Sequence, residues 1–202
     1  VSALLALCRS KVGGHTYVAW GGGLPLELLL AHGLVDAAEL CFSNADVFGL
    51  APRYRKAAES GELRLLERTA LQLLTGLRSR AEHLQWQPMQ VPAGSIFEDP
   101  ELALDTVPPA QRVDAFQRAV LADHAQRADD SGNIEIAGAR TTDLAMIPAA
   151  TTVLVTVEER VRRGQLGARN AVVVPRDIIT AVALAPGGAY PTSCLPYYVA
   201  DI

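Results

Sequence analysis

The chain is poor in cysteine, lysine and aromatic residues, and it has no long apolar run. Its three cysteines (Cys8, Cys41 and Cys194) stand far apart, with no Cys-x-x-Cys pair and no histidine at ligand spacing. That excludes a disulfide framework and a zinc module of the usual spacing, and it points to reduced thiols in a cytoplasmic protein with no metal. A basic excess is missing too: 18 Lys and Arg face 22 Asp and Glu, a formal net charge of −4. Neither nucleic acid nor an anionic membrane surface is then expected as the main partner. The longest apolar stretches, such as Leu24–Ala31, are interrupted well before the ~20 residues that cross a bilayer, and no signal peptide is visible. Two lysines against sixteen arginines hint at a GC-rich genome and carry no chemistry. The GxGxxG, P-loop, GxSxG and HExxH patterns are all absent, which removes the sequence fingerprints of nucleotide binding, serine hydrolysis and zinc proteolysis.

What remains is a chain able to fold compactly. Its 202 residues are 50% hydrophobic and 20% charged, enough for one α/β domain with a sizeable core. It starts with Val rather than Met, inside a helical pattern over Val1–Lys11, and so reads as a trimmed protein. Apolar positions at helical spacing, punctuated by glycine, alternate with short β-prone runs. His15–Trp20 reads as a strand running into Gly21-Gly22-Gly23, and Leu24–His32 as a helix. Ala38–Phe42 is a second strand, Leu50–Ser60 an amphipathic helix, Leu63–Leu66 a third strand, and Ala70–Leu84 a long helix. Short connections between such units predict a parallel sheet with helices on its faces.

Gln85–Pro109 breaks this rhythm with prolines and no clean period, as functional or interface loops do. Ala119–His124 then reads as a strand, Asp129–Asn133 as a turn, Thr141–Ala150 as a helix and Thr151–Val155 as a β-branched strand. Thr156-Val157-Glu158-Glu159 has the form of a helix capping box. Ala171–Val174 is one more strand, and Ile178–Leu184 leads into Ala185–Cys194. In that loop Gly187-Gly188 permits close backbone approach, and its N–H groups are candidates to bind an anion or a carbonyl oxygen.

Ligands of an open α/β sheet bind where strands end and loops begin. This rule selects Gly21–Gly23, Ser43, Asn44, Glu67, Thr69, Gln126 to Asp129 and the 185–194 loop. Each also has a plain structural role: Glu67 as a helix-dipole carboxylate, His124 as a satisfied core or edge histidine, Cys194 as an inert buried thiol, Asp129-Asp130 as a solvated turn. These residues do not make a complete catalytic set.

Five segments resemble, in order, the A (alpha) subunit of the family I coenzyme A transferases, in the glutaconate CoA-transferase-like branch. They are Phe48-Gly49-Leu50-Ala51-Pro52, Glu67 opening the long helix, Ala128-Asp129 with Gly132-Asn133, Val155-Thr156-Val157-Glu158-Glu159, and Ala185–Cys194 followed by Tyr197-Tyr198. The Ala-Pro-Gly-Gly-Ala-x-Pro-Thr-Ser-Cys run is the most specific. The resemblance implies an α/β fold, an open mostly parallel sheet with helices on both faces, of the CoA-transferase (NagB/RpiA/CoA transferase-like) type. It also implies one domain over 1–202, without the N-terminal strand and Gly-rich loop that relatives carry ahead of the first helix.

By the same resemblance the partner is a B (beta) subunit, in a heterodimer or heterotetramer, and the catalytic glutamate lies on it. Coenzyme A is then a substrate, moved between an acyl-CoA and a carboxylic acid, and no cofactor is permanently bound. Gly22, Gly23, Ser43, Asn44, Gly187, Gly188, Tyr190 and Ser193 are the expected substrate or CoA contacts, with Glu67 a possible catalytic group. Two alternatives accompany this: a hydrolase subunit opening the ring of a cyclic acyl-CoA, and a non-catalytic acyl-CoA-binding scaffold. Ring-opening relatives often have Glu at the position of Ala70 and Thr-Arg at Met89-Gln90; losing that arginine removes a bidentate carboxylate clamp. As a stiff wall of a shared site, Gly188 is expected to tolerate Val in the isolated fold while complex formation or acyl-CoA use suffers.

Overall fold

The computed structural model describes residues 1–202 except 46–48, 91–93, 95–102, 105–109, 115, 117–119, 139, 141 and 202; at 103, 104, 110, 111, 114, 120 and 122 it describes the backbone alone. Asp46, Phe48, Ala119, Thr141 and most of the Gln85–Pro109 stretch therefore lie outside the described residues. The chain divides into two compact units, Val12–Gln117 and a second made of Val1–Lys11 with Arg118–Ile202.

In the unit Val12–Gln117 the expected alternation is present. Strands β1 (His15–Gly21), β2 (Val35–Phe42) and β3 (Arg64–Glu67) pair in parallel in that order. Helix α2 (Gly23–Ala31) connects the first two and α3 (Pro52–Ser60) the next. Along β2, Val35, Ala37, Ala38 and Leu40 are buried, so both faces of the strand are covered, and Leu26 and Leu29 of α2 are buried as well. Pro52 opens α3 and Gly61, at φ 75°, ends it, the asymmetry that proline and glycine impose on helix ends. Glu27 of α2 takes the first free amides of α3, accepting from Arg53 N at 3.0 Å and Tyr54 N at 2.8 Å. Helix α4 (Ala70–Ala81) starts from a capping box: Thr69 Oγ1 accepts from Gln72 N and Gln72 Oε1 from Thr69 N.

Strands β4 (Trp86–Gln90), β5 (Ala103–Leu104) and β6 (Ala110–Asp114) form a separate antiparallel sheet in the order β4-β6-β5. The irregular stretch Gln85–Pro109 thus contains two strands, β4 and β5. Pro88 masks β4 in sequence, yet β4 lies at the sheet edge, where a residue without an N–H is tolerated.

In the second unit, helix α1 (Ser2–Ser10) accompanies a five-stranded sheet ordered β10-β8-β7-β9-β11. Its strands are β7 (Val120–Asp129), β8 (Ile134–Ala137), β9 (Thr152–Val161), β10 (Ala171–Val174) and β11 (Ala181–Leu184), with α5 (Asp143–Ala149) between β8 and β9. β7, β9 and β11 pair in parallel, whereas β8 pairs antiparallel with both β7 and β10. The open α/β class therefore holds, with parallel centres and antiparallel additions. The β7–β8 hairpin turns at Asp129–Asn133, where Asp129 Oδ1 accepts from Ser131 N and Asn133 N.

The expected capping box at Thr156–Glu159 is not one. These residues continue β9, because Val153, Val155 and Val157 alternate into the core with Ala125, Ile134, Ile136 and Ile147. A β-branched run at period two outweighs a Thr-x-x-Glu coincidence. Ile178–Leu184 likewise ends in a strand before the glycine loop.

Candidate functional site

The residues expected at the site are divided between the two units. In Val12–Gln117 the parallel register aligns Gly21 with Phe42 and Leu40 with Glu67. Gly22, Gly23, Ser43, Asn44 and Glu67 are thereby brought to one edge, where β1, β2 and β3 end. Gly22 has no alternative there: a Cβ on it would lie 2.2 Å from Ser43 Oγ and 2.9 Å from Leu26 Cδ2. Its N–H donates to Phe42 O at 3.0 Å, and its carbonyl accepts from Tyr17 Oη at 3.2 Å. Burial pushes the Tyr17 hydroxyl up to about 12, so it stays a donor. Ser43 Oγ is buried with no hydrogen-bond partner among the described residues. A buried hydroxyl without a partner costs about 1–3 kcal/mol, so this edge retains the capacity to bind one polar ligand atom. Glu67 is exposed at the end of β3 and contributes to raising the Tyr54 hydroxyl, after burial. Ala70 is the first residue of α4 and Gln90 the last of β4.

In the other unit the glycine loop is tied to a buried carboxylate. Thr156 and Glu158 share the face of β9 opposite the valines, and the β7–β9 register sets His124 across from Thr156. His124 Nδ1 lies 2.8 Å from Thr156 Oγ1, and Nε2 lies 2.6 Å from Glu158 Oε1. Tyr198 Oη donates to the same Oε1 at 2.5 Å, and Gly187 N donates to Oε2 at 2.7 Å. Ala189 N in turn donates to Tyr198 Oη at 3.0 Å. Burial raises the pKa of Glu158, but the bonds from Tyr198, Gly187 and His124 prevail and hold it below the ordinary carboxylate value. Burial and that charge push the Cys194 thiol up to about 11, which keeps it protonated and weakly nucleophilic.

The Gly187 amide, one of the two expected to bind an anion or a carbonyl oxygen, is thus engaged within the fold, as is the amide of Ala189. Gly188 is buried against His124: a Cβ would sit 2.6 Å from His124 Cε1 and 2.7 Å from Ala185 O. Val at this position meets the ring and a backbone carbonyl, so the fold of this unit suffers first, contrary to the sequence expectation. Tyr190 and Ser193 face solvent, with Tyr190 Oη donating to Asp201. Gln126 is structural: its amide bridges Ala137 O, Ala137 N and Leu195 O.

Sequence spacing missed the meeting of His124, Glu158 and Cys194. Their ligand atoms all lie within 4.8 Å of one another, although His124 and Glu158 are 34 positions apart. The usable signal was the parallel pairing of two β-branched strands, which puts polar residues of both on one face.

The class that the fold defines is an open α/β protein with polar residues gathered at its strand ends. No family model matches the chain. It is 26% identical over 226 residues to the A (alpha) subunit of glutaconate CoA-transferase from Acidaminococcus fermentans, covering 99% of this chain and 70% of the relative. A crystal structure of a variant of the decarboxylase AibA/AibB superposes with TM-score 0.87 at 26% identity, over 99% of this chain and 77% of that one. The crystal structure of glutaconate coenzyme A-transferase from A. fermentans shares the fold, with TM-score 0.87 at 22% identity, over 99% of this chain and 71% of that chain. Over nearly its whole length the chain is thus similar to the A (alpha) subunit of a coenzyme A transferase, the family that its motifs resemble.

Proposed function

We propose that this chain is the alpha subunit of a two-subunit enzyme that moves coenzyme A between an acyl-CoA and a carboxylic acid, acting only with a B subunit. The observation that carries the proposal is the end-to-end similarity to the alpha subunit of glutaconate CoA-transferase. Covalent transfer needs an activated nucleophile. Two candidates on this chain are poorly suited to that role: Glu158 is held by three donors and Cys194 is kept protonated. Both features fit a catalytic glutamate supplied by the partner. The edge bearing Gly22, Gly23, Ser43, Asn44 and Glu67 is the acyl-CoA contact in this reading, with the unpartnered Ser43 hydroxyl reaching a carbonyl or carboxylate oxygen of the substrate. Tyr190 and Ser193, beside the exposed Leu195, Tyr197 and Val199, belong to a surface covered by the partner.

The likeness to AibA/AibB favours one other reading, decarboxylation of an acyl-CoA on the same scaffold. Incubating the chain and its partner with an acyl-CoA and an isotopically labelled free acid separates the two. Transfer yields labelled acyl-CoA by ping-pong kinetics. Release of carbon dioxide without exchange supports decarboxylation instead, and binding with neither outcome leaves a scaffold.

A further inference from the structure

The sequence shows no metal-ligand spacing, yet the fold assembles a ligand set from three separate elements. His124 comes from β7, Glu158 from β9, and Cys194 from the segment after β11. All three are enclosed: the His124 and Glu158 side chains are 9% and 4% exposed, and Cys194 is 5% exposed. We propose that His124 Nε2, Glu158 Oε1 and Cys194 Sγ form a site for a divalent transition-metal ion of the zinc class. An imidazole nitrogen, a thiolate and one carboxylate oxygen select zinc-like ions over magnesium or calcium, which take oxygen ligands.

The surroundings match what orients metal ligands. A metal-bound histidine holds its other ring nitrogen to a fixed partner; here Nδ1 faces Thr156 Oγ1 at 2.8 Å, and that hydroxyl lies 3.2 Å from Asp123 O. Glu158 Oε2 is fixed by Gly187 N at 2.7 Å, which aims Oε1 at the centre of the group. Zn–N and Zn–O bonds of about 2.0 Å at a tetrahedral angle separate their ligand atoms by about 3.3 Å. The 2.6 Å contact between His124 Nε2 and Glu158 Oε1 then opens by less than about 1 Å. In the binding step the metal forms bonds to Nε2, Oε1 and Sγ. The S–H bond of Cys194 breaks and its proton leaves to solvent; the proton that His124 Nε2 directs at Glu158 is displaced as the metal bond forms, so that the bound imidazole is protonated at Nδ1 only, toward Thr156. The Tyr198 hydroxyl, already on Oε1, or a water completes the coordination. The bound ion pins the 185–198 segment to the sheet, which makes the site a staple rather than a seat of reaction.

The test is titration of the full chain with cobalt(II), whose bond to a thiolate gives a charge-transfer band in the near ultraviolet. The expected result is one cobalt per chain with that band, displacement by zinc, and a rise in Tm on adding either ion. Cys194→Ser abolishes the band and weakens zinc binding at least tenfold, while Cys41→Ser changes neither. His124→Asn keeps the band but weakens binding, giving a second readout should the serine variant fold poorly. No band in the parent chain, or a band that survives Cys194→Ser or disappears in Cys41→Ser, overturns the proposal.

Discussion

Replacing Gly188 by alanine tests the packing beneath the glycine loop. The added Cβ lies 2.6 Å from His124 Cε1, 2.7 Å from His124 Nδ1 and 2.7 Å from Ala185 O, all inside any normal contact distance. The ring is held on both nitrogens and the carbonyl belongs to the backbone, so the cost is that of overpacking, about 1–3 kcal/mol. Displacing the ring also strains the bonds to Thr156 and Glu158, at about 1 kcal/mol each. The expected total is about 3–5 kcal/mol. Gly187 is the control: its φ is +73° but a Cβ meets nothing within 4 Å, so alanine there costs only about 1–2 kcal/mol of left-handed strain.

Urea unfolding by far-UV circular dichroism gives the overall difference. Both tryptophans, Trp20 and Trp86, lie in the other unit, so amide exchange along β7 and β9 reports this unit directly. In a His124→Ala background the ring clash is gone, and the cost of Gly188→Ala falls by at least about 1 kcal/mol, the coupling expected of touching residues. Ala185 O remains, so the cost does not vanish. An equal cost in both backgrounds, or a Gly188→Ala no worse than Gly187→Ala, refutes the packing.

Two further changes read a buried and a half-buried carboxylate of this unit, Glu158 and Asp143. Glu158→Gln leaves at least one donor of Tyr198, Gly187 or His124 without its acceptor, and costs about 2–4 kcal/mol at pH 7. Because the pKa of Glu158 is lowered in the fold, its stabilisation is present above the unfolded value and is lost as pH falls through the folded one. The difference between parent and variant therefore shrinks toward pH 3, and a urea midpoint difference independent of pH contradicts this. Asp143 behaves oppositely: burial and the neighbouring Asp123 raise it to about 6. The folded state then binds more protons, so stability falls as pH rises from about 4 through 6. Asp143→Asn gains about 1–2 kcal/mol at pH 8, discounted for partial solvent screening, and nothing at pH 4. A gain that persists at pH 4 is inconsistent with that origin.

Much of the first unit was legible because its signals were local. Glycines stop the helices near the expected positions, and Thr69 with Gln72 makes a capping box at the start of α4. The carboxyl-edge residues followed from topology, since parallel strands must end on one side. The second unit was less legible. Val157 reads as a strand residue only when it is buried with Val153 and Val155, and the Thr156–Glu159 pattern misled in its absence. β8 pairs antiparallel through an Asp129 turn, and no period announces the direction of pairing. His124, Glu158 and Cys194 are each unremarkable in sequence, and the register of β7 on β9 is what makes them neighbours. The glycine loop stood out correctly, but the reason differs. Its amide at Gly187 serves Glu158, and Gly188 makes room for His124.

As proposed, this chain provides part of an acyl-CoA transfer site whose nucleophile lies on the partner. The most direct measurement is mass analysis of both chains, trapped during turnover with acyl-CoA. The account predicts a CoA thioester on a glutamate of the partner, formed only when both chains are present, and no adduct on this chain. A covalent adduct on Glu67 or on any other residue of this chain, or transfer by this chain alone, would contradict it.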